Sequence, residues 1–323
     1  VNITRASHVV LTSKDLAASL TFYTEVVGLV VSARNGGALY LRGLEEACHH
    51  SLVLRRADGE RQCARIGMRV FTDDDLRAAA DWFAAAGCPI AWAEAPHQGL
   101  TLHTTDPSGV PLELCATMPV MPRMITRFSQ HRGGAAQRLD HYQILVPDVP
   151  RAMRFYMEAG FRLTEYIAPD SGDDVFGAFL QRKGNPHDIV FFKGPGPQLH
   201  HFAFTSPDTA TMLHACDVAG ELGWGETVER GPGRHGPGHA LYAYFRDPDG
   251  HRVEIFNTHY QVMDSEIQPV RWDPSDTSIS TPWGLPARAA WFTEATPFAG
   301  MPVERPETQR PPRSLERYLA GEA

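Results

Sequence analysis

The 323-residue chain is 43% hydrophobic, enough for the cores of two ordinary domains, and its 30 Lys+Arg against 38 Asp+Glu give a formal charge of −8. That balance leaves no basic stripe to neutralise phosphates, which argues against a nucleic-acid partner. No apolar run is long enough to span a bilayer, and the start Val1-Asn2-Ile3-Thr4-Arg5-Ala6 leads into a strand without a signal-like apolar region, so a soluble cytoplasmic protein with no membrane partner is expected.

In chain order, Ser7-His8-Val9-Val10-Leu11 reads as a strand, followed by an amphipathic helix ending in Phe22-Tyr23-Thr24-Glu25-Val26-Val27-Gly28-Leu29. Further on, Asp106-Pro107-Ser108-Gly109 is a tight turn feeding the strand Val110-Pro111-Leu112-Glu113-Leu114. Pro, Gly and charge then break the periodicity from Met118 to Ala135. The pattern returns: Asp140-His141-Tyr142-Gln143-Ile144-Leu145 precedes Phe155-Tyr156-Met157-Glu158-Ala159-Gly160-Phe161, and Asp247-Pro248-Asp249-Gly250 precedes His251-Arg252-Val253-Glu254-Ile255. The repeat predicts an α+β fold of four βαβββ modules at about 5–58, 62–118, 138–194 and 198–260, paired into two halves. Expected domains are a metal-free N-terminal one at 1–130, a catalytic one at 131–265, and an irregular tail at 266–323 packing over the catalytic one. Trp272, Trp283, Trp291 and Phe292 make that tail too apolar to be wholly disordered. The five cysteines are scattered without CxxC spacing, which suggests neither a disulfide framework nor a thiolate zinc site.

Three residues of the second half lie in short strand-like runs: His141, His201 in Leu199-His200-His201-Phe202, and Glu254. Two imidazoles and one carboxylate are the donor set of a facial Fe(II) site with adjacent open positions, which points to oxygen chemistry. Neighbouring side chains on a strand face opposite ways, so only one of His200 and His201 can face the ion, while Glu254 faces it and Val253 and Ile255 face the core. Superposing the halves sets His8 on His141 and Glu113 on Glu254, but places Met68 on His201. A thioether suits ferrous iron poorly, so one metal per chain is expected.

Paired modules of this kind resemble the vicinal oxygen chelate superfamily, in which they curl into open barrels. The second half further resembles the type I extradiol ring-cleaving dioxygenases, through Leu139-Asp140-His141, Gly184-Asn185-Pro186-His187-Asp188, Leu199-His200-His201, Arg230-Gly231-Pro232-Gly233-Arg234-His235-Gly236 and Tyr244-Phe245-Arg246-Asp247-Pro248-Asp249-Gly250-His251-Arg252-Val253-Glu254. Within that group it is most similar to the 3,4-dihydroxyphenylacetate (homoprotocatechuate) 2,3-dioxygenases. The resemblance implies His141, His201 and Glu254 as ligands of Fe(II), with Mn(II) acceptable, and O2 as co-substrate of a catecholic small molecule. It leaves His200 a structural or supporting imidazole. It implies His187 as the acid/base that holds and returns a substrate proton, a task for which an imidazole titrating near neutrality is suited. His235 and Tyr244 match positions that hydrogen-bond the substrate, with Gly231 and Gly233 shaping a turn that presents His235.

Arg230, Phe179 and Gln143 match substrate-binding positions, but Phe179 replaces a tryptophan, Gln143 an asparagine, and Ser280 an arginine that reads the acetate carboxylate. A neutral alkyl- or aryl-catechol therefore competes as substrate. The resemblance also implies a homo-oligomer, commonly a tetramer. A glyoxalase-like metal isomerase and a non-enzymatic sequestering protein are the rival readings on this scaffold. The former has no need of the set His187, His235 and Tyr244, the latter none of a complete trio.

Overall fold

Four successive stretches each fold as a strand, a helix and three strands in the computed structural model, which describes all residues except 173, 277, 278, 280, 310 and 323. Ser280 thus lies outside the described residues. The first unit comprises strand Ile3–Ser13, helix Leu16–Thr21 continued by the wider-wound Phe22–Val27, and strands Val30–Asn35, Ala38–Arg42 and Leu52–Arg56. The second comprises Cys63–Val70, helix Asp73–Ala85, Ile90–Ala93, Thr101–Thr105 and Pro111–Cys115. The third runs through Leu139–Val146, helix Val149–Glu158, Arg162–Ile167, Gly177–Gln181 and Ile189–Lys193. The fourth has Gln198–Thr205, helix Thr209–Glu221, Val228–Arg234, Leu241–Arg246 and Arg252–Asn257. The α+β class and the four βαβββ modules are those the repeat predicted.

Local chemistry sets the helix ends. Asp15, Thr72, Asp148 and Asp208 accept from backbone N–H groups two or three residues on, satisfying donors that a first helical turn leaves orphaned. At the far end of the first helix Gly28 takes φ +85°, and a Cβ there would lie 2.2 Å from the Arg132 carbonyl oxygen. Only glycine lets the chain turn that close to the connecting segment.

Units one and two share an eight-stranded sheet, and units three and four a ten-stranded one. In each sheet the two opening strands pair antiparallel, Ile3–Ser13 with Cys63–Val70 and Leu139–Val146 with Gln198–Thr205. Each opening strand is flanked on its other side by the last strand of its own unit, running parallel. One continuous cluster of buried apolar side chains, including Phe22, Val26, Phe83, Phe155, Phe202 and Ile255, runs through both halves.

The halves are tied reciprocally by the repeated motifs. Tyr23 Oη donates to Asp247 Oδ2 at 2.9 Å, and its counterpart Tyr156 donates to Asp106 Oδ2 at 3.0 Å. Each helix tyrosine thus reaches the Asp-Pro turn of the other half. Burial pushes the Asp106 carboxyl up to about 6 despite these donors. Tyr142 adds a central tie: its hydroxyl accepts from Ser7 N at 3.1 Å and lies 2.7 and 2.8 Å from the carbonyls of His8 and Gly67.

Strand register corrects the superposition of the two halves. Gly67 pairs with both His8 and Glu113, as Ala203 pairs with both His141 and Glu254. The first-half counterpart of His201, two residues before Ala203, is therefore Arg65 and not Met68. The loops between strands differ in length, with two residues between Asn35 and Ala38 against nine between Ile167 and Gly177, so the equal spacings were coincidental. Met68 is fully buried in the core. Glu113 is itself engaged on both oxygens, by His8 Nε2 and His103 Nε2 at 2.7 Å and by Gln98 Nε2 at 2.6 Å.

The tail carries short elements, strand Val270–Trp272, helix Ala289–Thr293, strand Thr296–Pro297 and helix Leu315–Leu319. Its first strand extends the second sheet, and Thr296–Pro297 pairs with Gln198–Thr205. It also reaches the first half, where Ala299 N donates to Cys63 O at 2.9 Å. Among the described residues no helix is long and apolar enough to cross a membrane.

Replacing Tyr142 by Phe removes a hydroxyl that three buried backbone groups share. Loss of about 1–3 kcal/mol in unfolding free energy is expected from urea denaturation.

Candidate active site

Strand pairing assembles the site. Residues directly across neighbouring strands share a face, as do residues two apart on one strand. Ala203 lies between His141 and Glu254 on the adjacent strands, and His201 precedes Ala203 by two. The row continues outward from Glu254 to Tyr244 and then Arg230. The next row along the strands runs from His201 through Gln143 and Val190 to Phe179. Seven of the nine residues singled out in the sequence therefore sit in two adjacent rows on one face of the sheet.

His141, His201 and Glu254 are all buried, with one donor atom from each within 4.8 Å of the others, a set that could hold a metal ion. Both His141 Nε2 and His201 Nε2 are 3.2 Å from Glu254 Oε2. Neighbours decide where the ring protons sit. Trp291 O can only accept, so His200 Nε2, 2.7 Å away, carries a proton, leaving His200 Nδ1 to accept from His201 Nδ1 at 2.8 Å. His141 Nδ1 donates to Asp140 Oδ2 at 3.0 Å. In the neutral rings both Nε2 atoms are then bare and face one carboxylate oxygen, so the arrangement is favourable only with a positive charge between them, either a shared proton or a metal ion. The donor set fits a divalent ion.

Burial works against charge throughout the cluster. It takes His201 down to about 4, while at His141 the carboxylates of Asp140 and Glu254 outweigh it and raise the imidazole. Burial alone would raise Glu254, but contacts from His141, His201 and His235 hold it well below the usual carboxylate range.

His187 comes from the loop before Ile189–Lys193. Asn185 Nδ2 pins that loop, donating to Asp140 Oδ2 at 2.8 Å and to His187 O at 2.9 Å. Its ring meets His141 edge-on, with 4.4 Å between centroids, and lies 5.4 Å from Phe179. Its Nδ1 has no hydrogen-bond partner among the described residues. His235 Nε2 is 2.8 Å from Tyr244 Oη, and the ring stacks on Tyr242 at 4.0 Å. The segment before His235 is no turn: Gly231 and Gly233 lie within strand Val228–Arg234, whose pairing slips between Arg230 and Gly233. A Cβ on Gly233 would lie 2.5 Å from Tyr242 Oη, so glycine there makes room for the tyrosine on which His235 stacks.

All nine residues line one cavity of about 380 Å³, together with the apolar side chains of Ile167, Phe176, Val190, Phe192 and Ile279. The Arg230 guanidinium lies 4.2 Å from the Trp291 ring and 4.9 Å from that of Tyr242, and Nη2 reaches Thr281 Oγ1 at 3.3 Å. Sequence reasoning missed three residues. Asp140 orients His141; Trp291 holds His200 with its backbone and Arg230 with its ring; His259 lies against His187 at 4.7 Å. A histidine five residues after Glu254 was the visible signal for the last, whereas nothing local marked Trp291.

Residues 5–114 and 138–255 match the Glyoxalase/Bleomycin resistance protein/Dioxygenase superfamily. The chain belongs to that superfamily. A manganese-dependent 2,3-dihydroxybiphenyl 1,2-dioxygenase of Geobacillus genomosp. 3 is 28% identical over 87% of the chain and 93% of its own length. A solved variant of homoprotocatechuate 2,3-dioxygenase from B. fuscum superposes with a TM-score of 0.92 and 33% identity, over 95% of this chain and 88% of that one. The enzyme of that name from Arthrobacter globiformis gives 0.90 and 34%, over 94% and 96%. Within the superfamily the protein is an extradiol ring-cleaving dioxygenase, as its resemblance implied.

Because His200 sets the tautomer of His201, a His200→Phe variant is expected to lower Mn(II) affinity about 10–100-fold. Competition against a chromophoric chelator measures it, with the apo-protein melting temperature as the control for folding.

Proposed function

We propose that this dioxygenase opens the ring of a substituted catechol beside its hydroxyl pair, with His141, His201 and Glu254 holding one Fe(II) or Mn(II) ion per chain. The observation that carries the reading is the pair of buried imidazole Nε2 atoms converging on one oxygen of a buried carboxylate, each 3.2 Å away. When bound, such an ion supplies the electron path from catechol to O2 and acidifies the ring hydroxyls. Both metals accept these ligands.

The chain's own groups handle protons and position. His187, buried beside His141 with no hydrogen-bond partner for Nδ1 among the described residues, takes a catechol proton and returns it as the O–O bond breaks. Burial and the neighbouring imidazoles hold it well below an ordinary histidine, so a proton placed on it is readily given up. Tyr244, kept a neutral phenol by burial, and His235 form a hydrogen-bonded pair facing the reacting ring. Phe179, Val190 and Ile279 form an apolar wall that excludes water.

For the substituent, Arg230 offers a buried cation held by two aromatic faces, which suits the carboxylate of 3,4-dihydroxyphenylacetate or a similar group. The apolar wall favours a second reading, a neutral alkyl- or aryl-catechol, in line with the dihydroxybiphenyl named for the manganese-dependent relative. The proposed assembly is a cytoplasmic homotetramer, which light scattering coupled to size exclusion measures. Anaerobic loading with Fe(II) or Mn(II), followed by a catechol panel and O2, tests the activity. A yellow ring-opened product is expected, and its absence with every catechol would overturn the reading.

Three outcomes are specific to these roles. Manganese should bind at one ion per chain and be lost from Glu254→Ala and His201→Ala variants, because Arg65 and the engaged Glu113 leave the first half no site; elemental analysis counts the ions. Arg230→Ala should lower kcat/KM for 3,4-dihydroxyphenylacetate by the equivalent of roughly 1.5–3 kcal/mol while sparing 4-methylcatechol, and equal losses on both would make Arg230 structural. His187→Phe should keep its metal and its anaerobic catechol binding yet turn over about 10²–10⁴-fold more slowly, read by stopped-flow mixing with O2.

A further inference from the structure

A second cluster of imidazoles adjoins the first. His141, His187 and His259 each offer one ring nitrogen within 4.8 Å of the others. The His259 side chain is only 6% exposed, and neither its Nδ1 nor that of His187 has a hydrogen-bond partner among the described residues. Buried polar nitrogens normally hydrogen-bond, so two neighbouring imidazoles whose Nδ1 atoms do not do so among the described residues leave donor atoms for a further group.

The backbone encloses this place closely. Thr258, a β-branched residue, takes φ +61° immediately before His259, a strained conformation that persists only where the surroundings impose it. Gly238 lies across both rings, and a Cβ there would come within 3.2 Å of His259 and 3.3 Å of His187. The charge environment is mixed: Asp140 Oδ2 lies 3.0 Å from His141 Nδ1 and 3.6 Å from His259 Nδ1, while Lys183 Nζ lies 3.9 Å from Asp140 Oδ1.

We propose that His141, His187 and His259 form a second, all-imidazole site for a borderline-soft divalent cation such as zinc, whose occupation excludes the metal held with Glu254. Three neutral imidazoles and an open fourth position are a zinc-type donor set, whereas iron(II) and manganese(II) favour the set containing the carboxylate. His141 belongs to both sets, and a neutral imidazole has one lone pair, so the two sites are alternatives. A zinc ion there also occupies His187. The site therefore makes the enzyme zinc-inhibitable by a route that starts outside the Glu254 trio.

The test reads zinc binding, independently of whether the catechol reading holds. Apo His201→Ala, which lacks the first site but keeps all three imidazoles of the second, is titrated with zinc chloride against a chromophoric chelator, with its melting curve compared with wild type. One zinc per chain is expected, and adding His259→Asn should weaken it roughly ten-fold or more. A folded His201→Ala protein that binds no zinc, or binds it equally with Asn at 259, overturns the proposal. Should His201→Ala fail to fold, manganese-loaded wild type and His259→Asn are challenged with zinc and the retained manganese is counted. Displacement needing roughly ten-fold more zinc in the variant supports the site, and identical displacement curves overturn it.

Discussion

A carboxylate buried in the middle of a sheet is the constraint around which the second half is organised. Glu254 lies on a central strand with essentially no access to water, where an unpaired charge would cost several kcal/mol or more. Three histidines, His141, His201 and His235, stand around it, and their own partners fix which nitrogens can face it. Asp140, His200 and the Trp291 carbonyl extend that fixing outward by one further shell. The site thus depends on strand register first: a slip of one residue would turn the whole row to the opposite face.

The same register in the first half shows how a repeated fold can keep the scaffold without the chemistry. His8, Gly67 and Glu113 repeat the row of His141, Ala203 and Glu254, yet Arg65 stands where His201 does, and Glu113 is engaged on both oxygens by His8, His103 and Gln98. A guanidinium at the position of His201 and a carboxylate engaged on both oxygens give a hydrogen-bonded hub. That half still contributes to the whole, since Tyr23 and Tyr156 each cross to the other half's Asp-Pro turn. The active sheet is held in shape partly by residues that never approach substrate.

Trp291 joins the two ends of the pocket. Its carbonyl anchors His200, and through it His201, while its indole stacks on Arg230. A change in how the tail packs would therefore reach His201 and Arg230 together. The Arg252 guanidinium reinforces the link, donating to the carbonyls of His200 and Glu294 while paired with Glu229.

By itself the sequence determined the modules and picked out nine residues that share one cavity, because those rest largely on local physics. Apolar alternation, capping residues and Asp-Pro-x-Gly turns specify where elements start and stop, and strand parity already separated Glu254 from Val253 and Ile255. It could not determine which residues face each other across strands. Met68 was matched to His201 by equal spacing, whereas hydrogen-bond register, set by bulges and by the length of each connection, puts Arg65 there. Likewise the roles of His259 and Trp291 arise from chain segments that return to the pocket from outside its strands. Contacts of that kind have no sequence period, and only the packed tertiary structure decided them.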